Sequence, residues 1–195
     1  MKYILWSLAL FCLVSCGDRS QPNSSNGENR GSYSLDEEKN CINLLYANGA
    51  KDSRCDIGET EEEANLETYD VFKYFEEQQY LVLQVGYYEG GDFQLINLRD
   101  GNSKWIGAAP VLSPKGTKVA LAQTDLVAGY IYNGFRVYEL GKGGPTLLQE
   151  ITFPEWGAQN AQWVDDETVT FDIIAMDFVG DADLYKLRDT TIRFK

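Results

Sequence analysis

Residues 110–123, PVLSPKGTKVALAQ, contain two short apolar stretches separated by the sequence Ser113-Pro114-Lys115-Gly116. Proline presets the backbone dihedral angle that starts a β-turn, and glycine adopts conformations that are closed to other residues. The stretch after the turn, TKVALAQ (117–123), is short and largely apolar, as in a strand. This region therefore predicts a tight turn followed by an apolar strand.

The same pattern extends from Tyr80 to the C-terminal region. Short segments rich in β-branched and aromatic residues alternate with Gly, Asp, Asn and Pro, as strands alternate with turns. The predicted strands are YLVLQVGYY (80–88), DFQLINL (92–98), TKVALAQ (117–123), FRVYEL (135–140), TVTFDII (168–174) and DLYKL (183–187). Their spacing predicts antiparallel meanders and a mainly β fold.

An internal repeat runs through this β region. QLINLRDG (94–101), RVYELGKG (136–143) and LYKLRDT (184–190) each contain a strand that ends at a leucine before a turn. The three leucines are Leu98, Leu140 and Leu187, so the period is in the forties. PVLSPKGTKVALAQ also matches AQWVDDETVTFDI (161–173), upstream of the next unit. A period of this size, with about four strands per unit, is typical of a propeller blade.

LSPKGTKVALA (112–122) resembles the turn-then-strand element of Tol-associated and WD-type β-propeller blades, and FRVYEL resembles the strand that follows it. The resemblance implies about three antiparallel propeller-like blades in residues 80–195. Three units are fewer than a closed propeller uses, so an open or incomplete propeller is expected. A β-sandwich is the alternative. The family's binding residues cannot be transferred, because no site motif is shared.

Residues 33–79 are expected to form a helical and acidic segment that packs with the β region as one domain. Ser34 to Glu37 has the Ser-x-x-Glu form of a capping box, and the apolar residues that follow are spaced roughly as in a helix. These features predict a helix over 35–47. Residues 60–63 suggest a second short helix, and an acidic loop leading to a strand near 69–75 is the alternative.

Cys41 and Cys55 are expected to form a disulfide bond that holds the helical segment to the chain after it. Of the four cysteines, Cys12 lies inside the N-terminal apolar run and Cys16 directly after it. The remaining two therefore have each other as the natural partner in an oxidising compartment.

The N-terminal residues predict export and lipid anchoring. Lys2 precedes an apolar run over 3–15, which has the length of a signal-peptide core and is too short to span a bilayer. Leu13-Val14-Ser15-Cys16 resembles the bacterial lipobox, which implies cleavage after residue 15 and lipid modification of Cys16. Residues 16–32 are polar and predict a disordered tether.

The lipobox resemblance implies a location in the cell envelope. Gly17, and not Asp, follows the cysteine. In enterobacterial-type sorting this favours the outer membrane, on its periplasmic face or at the surface, if the source is Gram-negative.

Composition excludes several functions. The chain has 195 residues, a formal net charge of −13 and no histidine. The lack of histidine excludes Ser-His-Asp and Cys-His nucleophiles and every histidine-ligated metal site. The negative charge disfavours nucleic acid and favours a basic protein partner. We expect no enzyme activity, no cofactor and no metal site.

The candidate binding residues are Tyr87, Tyr88, Glu89 and Asp92, which surround a glycine turn. Two aromatic rings beside carboxylates at a loop tip suit a peptide or a sugar. Trp105, Trp156 and Trp163 are expected in the core or between blades. Asp177, Asp181 and Asp183 are weaker candidates for cation binding or paired-acid chemistry, and a hairpin turn explains them equally well.

Three functions are consistent with these features. The first is a lipid-anchored, acidic envelope protein that binds another protein as a docking, inhibitor or immunity-type module. The second is a surface lipoprotein that binds polysaccharide or peptide through Tyr87 and Tyr88. The third, and least favoured, is a hydrolase that relies on carboxylates.

Overall fold

The computed structural model describes residues 29–58, 66–177 and 183–194, and they form fourteen β-strands. The strands are β1 (Ser32–Asp36), β2 (Cys41–Leu45), β3 (Lys51–Cys55), β4 (Glu67–Phe75), β5 (Tyr80–Tyr87), β6 (Gly90–Asn97), β7 (Ser103–Trp105), β8 (Val111–Leu112), β9 (Lys118–Gln123), β10 (Gly134–Gly141), β11 (Gly144–Thr152), β12 (Gly157–Trp163), β13 (Thr168–Asp177) and β14 (Asp183–Arg193). Within these ranges no helix is long and apolar enough to cross a bilayer.

The strands form four small antiparallel sheets, each from one continuous part of the chain. Sheet 1 has the order β1-β2-β3, and sheet 2 has the order β4-β5-β6-β7. Sheet 3 has the order β11-β10-β9-β8, and sheet 4 has the order β12-β13-β14. Every strand is therefore paired with its neighbour in sequence, as in a series of meanders, and the prediction of a mainly β fold is confirmed.

The predicted helix over 35–47 is wrong. Residues 32–45 form the hairpin of β1 and β2, with Leu35 opposite Ile42. Ile42, Leu44 and Tyr46 are buried, whereas Asn43 and Leu45 are exposed. Their spacing of two residues is that of a strand, and it outweighs the apparent capping box. Asn40 takes a positive φ of 48° in the turn, which asparagine tolerates better than most residues.

The predicted repeat coincides with equivalent strands. Its three leucine-containing segments lie on or directly after β6, β10 and β14, each of which is the third strand of its sheet. The two matching segments upstream are the β8–β9 and β12–β13 pairs, the first two strands of sheets 3 and 4. The three predicted units therefore correspond to sheets 2, 3 and 4, and sheet 1 takes the place of the expected helix.

Three buried clusters join the sheets in sequence order. Sheet 1 packs on sheet 2 through residues that include Ile42, Leu44, Leu81 and Leu83. Sheet 2 packs on sheet 3 around Tyr80, Val82, Leu95, Val119 and Leu121. Sheet 3 packs on sheet 4 around Ala120, Val137, Ala158 and Val169, with the rings of Phe135 and Phe171 stacked 4.5 Å apart. Among the described residues, no buried cluster joins sheet 4 to sheet 1.

Hydrogen bonds join each pair of neighbouring sheets at one end of the stack, which we call the stitched end. Ala47 donates its backbone N–H to the Leu98 carbonyl, at 2.9 Å, between sheets 1 and 2. Asn97 donates its side-chain amide to the Lys142 carbonyl, at 2.8 Å, between sheets 2 and 3. Lys115 donates its backbone N–H to the Asp166 carboxylate, at 2.7 Å, between sheets 3 and 4. The opposite end, which we call the loop end, contains the β5–β6 turn and the β9–β10 loop.

The predicted disulfide bond is present in sheet 1. Cys41 and Cys55 lie directly opposite each other on β2 and β3, and their sulfur atoms are bonded. Sheet 1 is short, and its β1 and β3 strands are only partly buried. The cross-link therefore supports the least buried of the sheets.

Removal of the disulfide bond is expected to weaken sheet 1. In the chain-entropy model, a closed loop of about 15 residues stabilises the folded state by about 3 kcal/mol. The variant with both Cys41→Ser and Cys55→Ser should lose up to about this amount, measured by urea unfolding. Hydrogen exchange should accelerate most in β1–β3 and least in β9 and β10. Equal acceleration in all four sheets would contradict a local role.

Candidate functional site

A groove at the loop end lies between the β5–β6 hairpin and the loop that joins β9 to β10. Its volume is about 590 Å³, within the usual range for ligand sites in proteins. The hairpin contributes Glu89, Gly90 and Gly91, and the β9–β10 loop contributes Thr124, Asp125, Ala128, Tyr130 and Ile131. Two segments that are far apart in sequence therefore form one surface feature.

The hairpin holds the residues that were singled out from the sequence. β5 and β6 are paired up to Tyr87 and Gly90, so Tyr88 and Glu89 form the two-residue turn. Gly90 has a φ of 110°, which other residues rarely adopt. A side chain on Gly91 would lie 2.8 Å from the Val85 carbonyl oxygen. Both glycines are thus required for a tight turn that leaves Tyr88 and Glu89 exposed.

Asp125 organises the β9–β10 loop by accepting four backbone hydrogen bonds. One carboxylate oxygen accepts the N–H groups of Ala128 and Gly129, at 3.1 and 3.0 Å. The other accepts those of Tyr130 and Ile131, at 2.6 and 2.9 Å. The loop is therefore wrapped around one side chain, which fixes the backbone on both sides of Tyr130.

Two further bonds close the base of this loop. Asp125 donates its own N–H to the side-chain oxygen of Asn133, at 2.5 Å. The Asn133 amide donates in return to the Asp125 carbonyl, at 3.2 Å. The loop is thus fastened at its base by Asn133 and in its middle by the Asp125 carboxylate.

The pKa of Asp125 reflects this environment. Partial burial acts to raise its pKa, but the four backbone donors stabilise the charged form more strongly and hold the pKa below its usual value. Asp125 therefore stays ionised at neutral pH, and its lone pairs are occupied by the loop. Its role is to hold the loop in place, and it is poorly suited to proton transfer.

The loop exposes apolar side chains to solvent. Val127 is 78% exposed and Tyr130 is 74% exposed, and Tyr88 on the neighbouring hairpin is 58% exposed. Single exposed apolar residues are common, but several on two adjacent turns form a patch of the kind that marks interaction sites. The loop end therefore combines a groove with an exposed aromatic and aliphatic rim.

Tyr87 and Asp92 have different environments from Tyr88 and Glu89. Tyr87 lies beside Trp105, with ring centroids 6.5 Å apart. Burial raises the pKa of Tyr87, and the negative charges of Asp92 and Glu67 add to the effect. The Asp92 carboxylate accepts the N–H groups of Phe93 and Gly107, at 2.6 and 2.7 Å. Asp92 thus positions the chain after β7, whereas Glu89 is available to a ligand.

The tryptophans lie in two kinds of environment. Trp163 donates its indole N–H to the Val111 carbonyl, at 2.8 Å, across the boundary of sheets 3 and 4. Trp163 therefore lies between two sheets. Trp105 and Trp156 are 45% and 40% exposed, contrary to the expectation of a position in the core or between blades. Trp156 adjoins Phe153, whose N–H donates to the Asn133 carbonyl at the base of the β9–β10 loop.

Several candidates suggested by the sequence lie outside the described residues. They include Cys16 with the lipobox, residues 60–63, and Asp181. Asp177 and Asp183 are the ends of β13 and β14, and only their backbone is described. Among the residues that the structure describes, no group of three or more Cys, Asp and Glu side chains is arranged to hold a metal ion.

The β9–β10 loop is the part of the site that sequence reasoning missed. TDLVAGYIYN, residues 124–133, separates two predicted strands and contains Val, Ile and two Tyr where a solvated loop is expected to be polar. The available signal was an Asp near the start of this segment, followed by Gly129 and by apolar residues that belong to no predicted strand. Which N–H groups Asp125 would bind could not be foreseen, because the pattern depends on the folded backbone.

Comparison with known protein families and with curated proteins found no match for this chain. The candidate site is therefore defined by its geometry alone.

Replacement of Asp125 is expected to release the loop while the sheets remain folded. Asp125→Ala removes all four acceptor bonds, and Asp125→Asn keeps one acceptor oxygen, so its effect should be about half as large. Hydrogen exchange of the amides at 128–131 should accelerate most in Asp125→Ala and less in Asp125→Asn, with little change in β9 or β10. Asp70→Asn, at an exposed position on β4, is the matched control.

A fall in pH is expected to release the β9–β10 loop of the wild-type protein, as Asp125→Ala does. A depressed folded-state pKa means that the stabilisation is present above the usual pKa of Asp, about 3.9. It is lost as the pH falls through the lower pKa of the folded state. Protection of 128–131 that is unchanged in Asp125→Ala would contradict this account of the loop.

Proposed function

We propose that this protein is a lipid-anchored cell-envelope protein whose β domain binds another protein through the loop end. The observation that carries the binding proposal is the groove rimmed by exposed Tyr88, Val127 and Tyr130 on two hydrogen-bonded turns. Apolar side chains held in water at fixed positions favour association, because a partner removes them from solvent without a large cost in ordering the loop.

The anchoring part of the proposal rests on the N-terminal sequence. Lys2, the apolar run over 3–15 and the lipobox-like Leu13-Val14-Ser15-Cys16 occur in the order that lipid modification requires. A polar stretch then connects Cys16 to β1, which begins at Ser32. With several acyl chains on one residue, membrane binding is stable. We place the protein at the outer membrane if the source is Gram-negative.

We also propose that the four sheets are the blades of an open β-propeller. Support comes from the repeat, whose leucine-containing segments occupy equivalent third strands, and from the similarity of LSPKGTKVALA to propeller blades. Neighbouring sheets pack face to face in sequence order, as blades do. Propeller-like stacks present loops at each end, and the loop end is the proposed binding surface.

A second candidate is a polysaccharide-binding protein. Exposed Tyr88, Tyr130 and Trp156 favour it, because aromatic rings at a surface stack on sugar faces. The groove is shallow and carries the Glu89 carboxylate, which suits either ligand. A protein partner is preferred, because the rim has aliphatic side chains as well as aromatic ones.

Lipid modification is tested directly by the mass and location of the protein. The full chain expressed in a bacterial host should lose residues 1–15 and gain acyl chains on Cys16, as measured by mass spectrometry. Cys16→Ser should abolish acylation and release the protein from membranes. Ser15→Ala, which keeps a small residue before the cysteine, is the matched control and should remain acylated. Acylation of Cys16→Ser would contradict the assignment.

The docking surface is tested by site-specific photocrosslinking in intact envelopes. A photoreactive residue in place of Tyr88 or Tyr130 should give one discrete protein adduct of the same mass at both positions. The same residue in place of Glu77, which is exposed in the β4–β5 turn at the stitched end, should not.

Three results would count against the docking surface. Adducts from Glu77 as strong as those from Tyr88 would show that the loop end is not the binding surface. No protein adduct, together with retention on a polysaccharide column that Tyr88→Ala abolishes, would favour the second candidate. No adduct and no retention would remove both.

A further inference from the structure

The charge around the groove defines the chemistry of its occupant. We propose that the groove binds an extended, arginine-containing segment of the partner protein, with Glu89 pairing with a guanidinium group between the exposed tyrosines. This inference rests on the proposed docking function and adds to it the class of partner.

The groove carries negative charge without a compensating cation. Its lining contains Glu89 and Asp125 and no Lys or Arg. The Asp125 carboxylate already accepts four backbone N–H groups. Among the described residues, Glu89 has no ion-pair partner, and its side chain is exposed. The carboxylate of Glu89 is therefore the charge that a cationic group from outside would meet.

The surrounding turns extend this negative field. The described turns at the loop end contain one basic residue, Lys39, which pairs with Asp36 at 3.1 Å. Their acidic residues are Glu37, Glu38, Asp56, Glu89, Asp125 and Glu155. The stitched end also has acidic turns, but Arg99, Lys115 and Lys142 lie among them. A cationic segment is therefore drawn more strongly to the loop end.

The aromatic rim favours arginine over lysine. A planar guanidinium group stacks on an aromatic face and can pair with a carboxylate at the same time. Tyr88 is the residue directly before Glu89, and Tyr130 lies on the opposite wall of the groove with most of its side chain exposed. The fold itself uses this contact elsewhere, since the Arg136 guanidinium lies 3.4 Å from the ring centroid of Tyr132 and pairs with Glu150.

Other occupants fit less well. Phosphate groups of nucleic acid or lipid would face two carboxylates and no cation. A second copy of this chain, with a formal net charge of −13, would bring like charge to the same surface. The groove is open and about 590 Å³ in volume, which suits a few side chains of an extended segment.

The test compares two peptides that differ only in charge. The first is a capped heptapeptide in which three arginines alternate with leucine and tyrosine. The second has citrulline, the neutral isostere, at each arginine position. Each is titrated into the full acylated chain in phosphatidylcholine nanodiscs, and amide chemical shifts are followed by NMR. Salt is set at about 0.01 M and about 1 M, where the Debye length is about 30 Å and about 3 Å.

We expect the arginine peptide to shift amides at 88–91 and 124–131 and to bind more tightly than the citrulline peptide. The difference should shrink at high salt. Glu89→Gln should weaken the arginine peptide about two- to five-fold at low salt, the usual size of an exposed ion pair. Glu77→Gln, at the stitched end, is the matched control and should have no effect on binding.

Equal binding of the two peptides, no effect of Glu89→Gln, or shifts confined to the stitched end would overturn the cationic-segment inference. None of these results bears on whether a protein docks at the loop end, which the Tyr88 and Tyr130 adducts decide separately. If Tyr88 gives an adduct but both peptides bind equally, the docking proposal is supported and the partner is recognised without charge.

Discussion

The two inner sheets must bury both of their faces, and the rest of the structure depends on this constraint. On β5, Leu81, Leu83 and Val85 face sheet 1, while Tyr80 and Val82 face sheet 3. A strand with two buried faces needs apolar residues at consecutive positions, and residues 80–83 have them. On β9, Val119 and Leu121 face sheet 2, while Ala120 faces sheet 4. Apolar contacts between neighbouring sheets therefore hold the stack together.

The outer sheets show the opposite pattern, which explains where the stack ends. In β2, buried Ile42 and Leu44 alternate with less buried Cys41, Asn43 and Leu45. In β13, Val169, Phe171 and Ile173 face sheet 3, whereas Asp172 lies on the outer face, where Asn160 donates to it at 2.9 Å and Lys186 pairs with it. These two contacts lower the pKa of Asp172. Polar outer faces favour water over another sheet, in the way that capping repeats end a solenoid.

The pattern of apolar and polar residues along the strands explains which parts of the fold the sequence could predict. Six strands from Tyr80 onward, β5, β6, β9, β10, β13 and β14, were predictable because apolar runs bounded by turn residues are local signals. The strands β7 and β11 were not predicted. Sheet 1 was missed because Leu35 and Leu45, both exposed, completed a false helical pattern. Of the site, Tyr88 and Glu89 were identified because a glycine turn marks a loop tip. Asp125 was not, because its role depends on N–H groups that only the folded loop brings together.

The two ends of the stack differ, because the stitched end contains buried hydrogen bonds between sheets and the loop end contains the proposed binding surface. At the stitched end, buried Asn97 and Tyr80 donate hydrogen bonds from sheet 2 to the Lys142 and Gly141 carbonyls of sheet 3, and burial raises the pKa of the Tyr80 hydroxyl to about 12. Such bonds cannot be lost without leaving buried polar groups unsatisfied, so this end tolerates little change. Sheets joined in this way set the position of the β5–β6 turn relative to the β9–β10 loop. Apolar side chains can then remain exposed at the loop end, because the sheets position the two turns and the Asp125 carboxylate holds the β9–β10 loop.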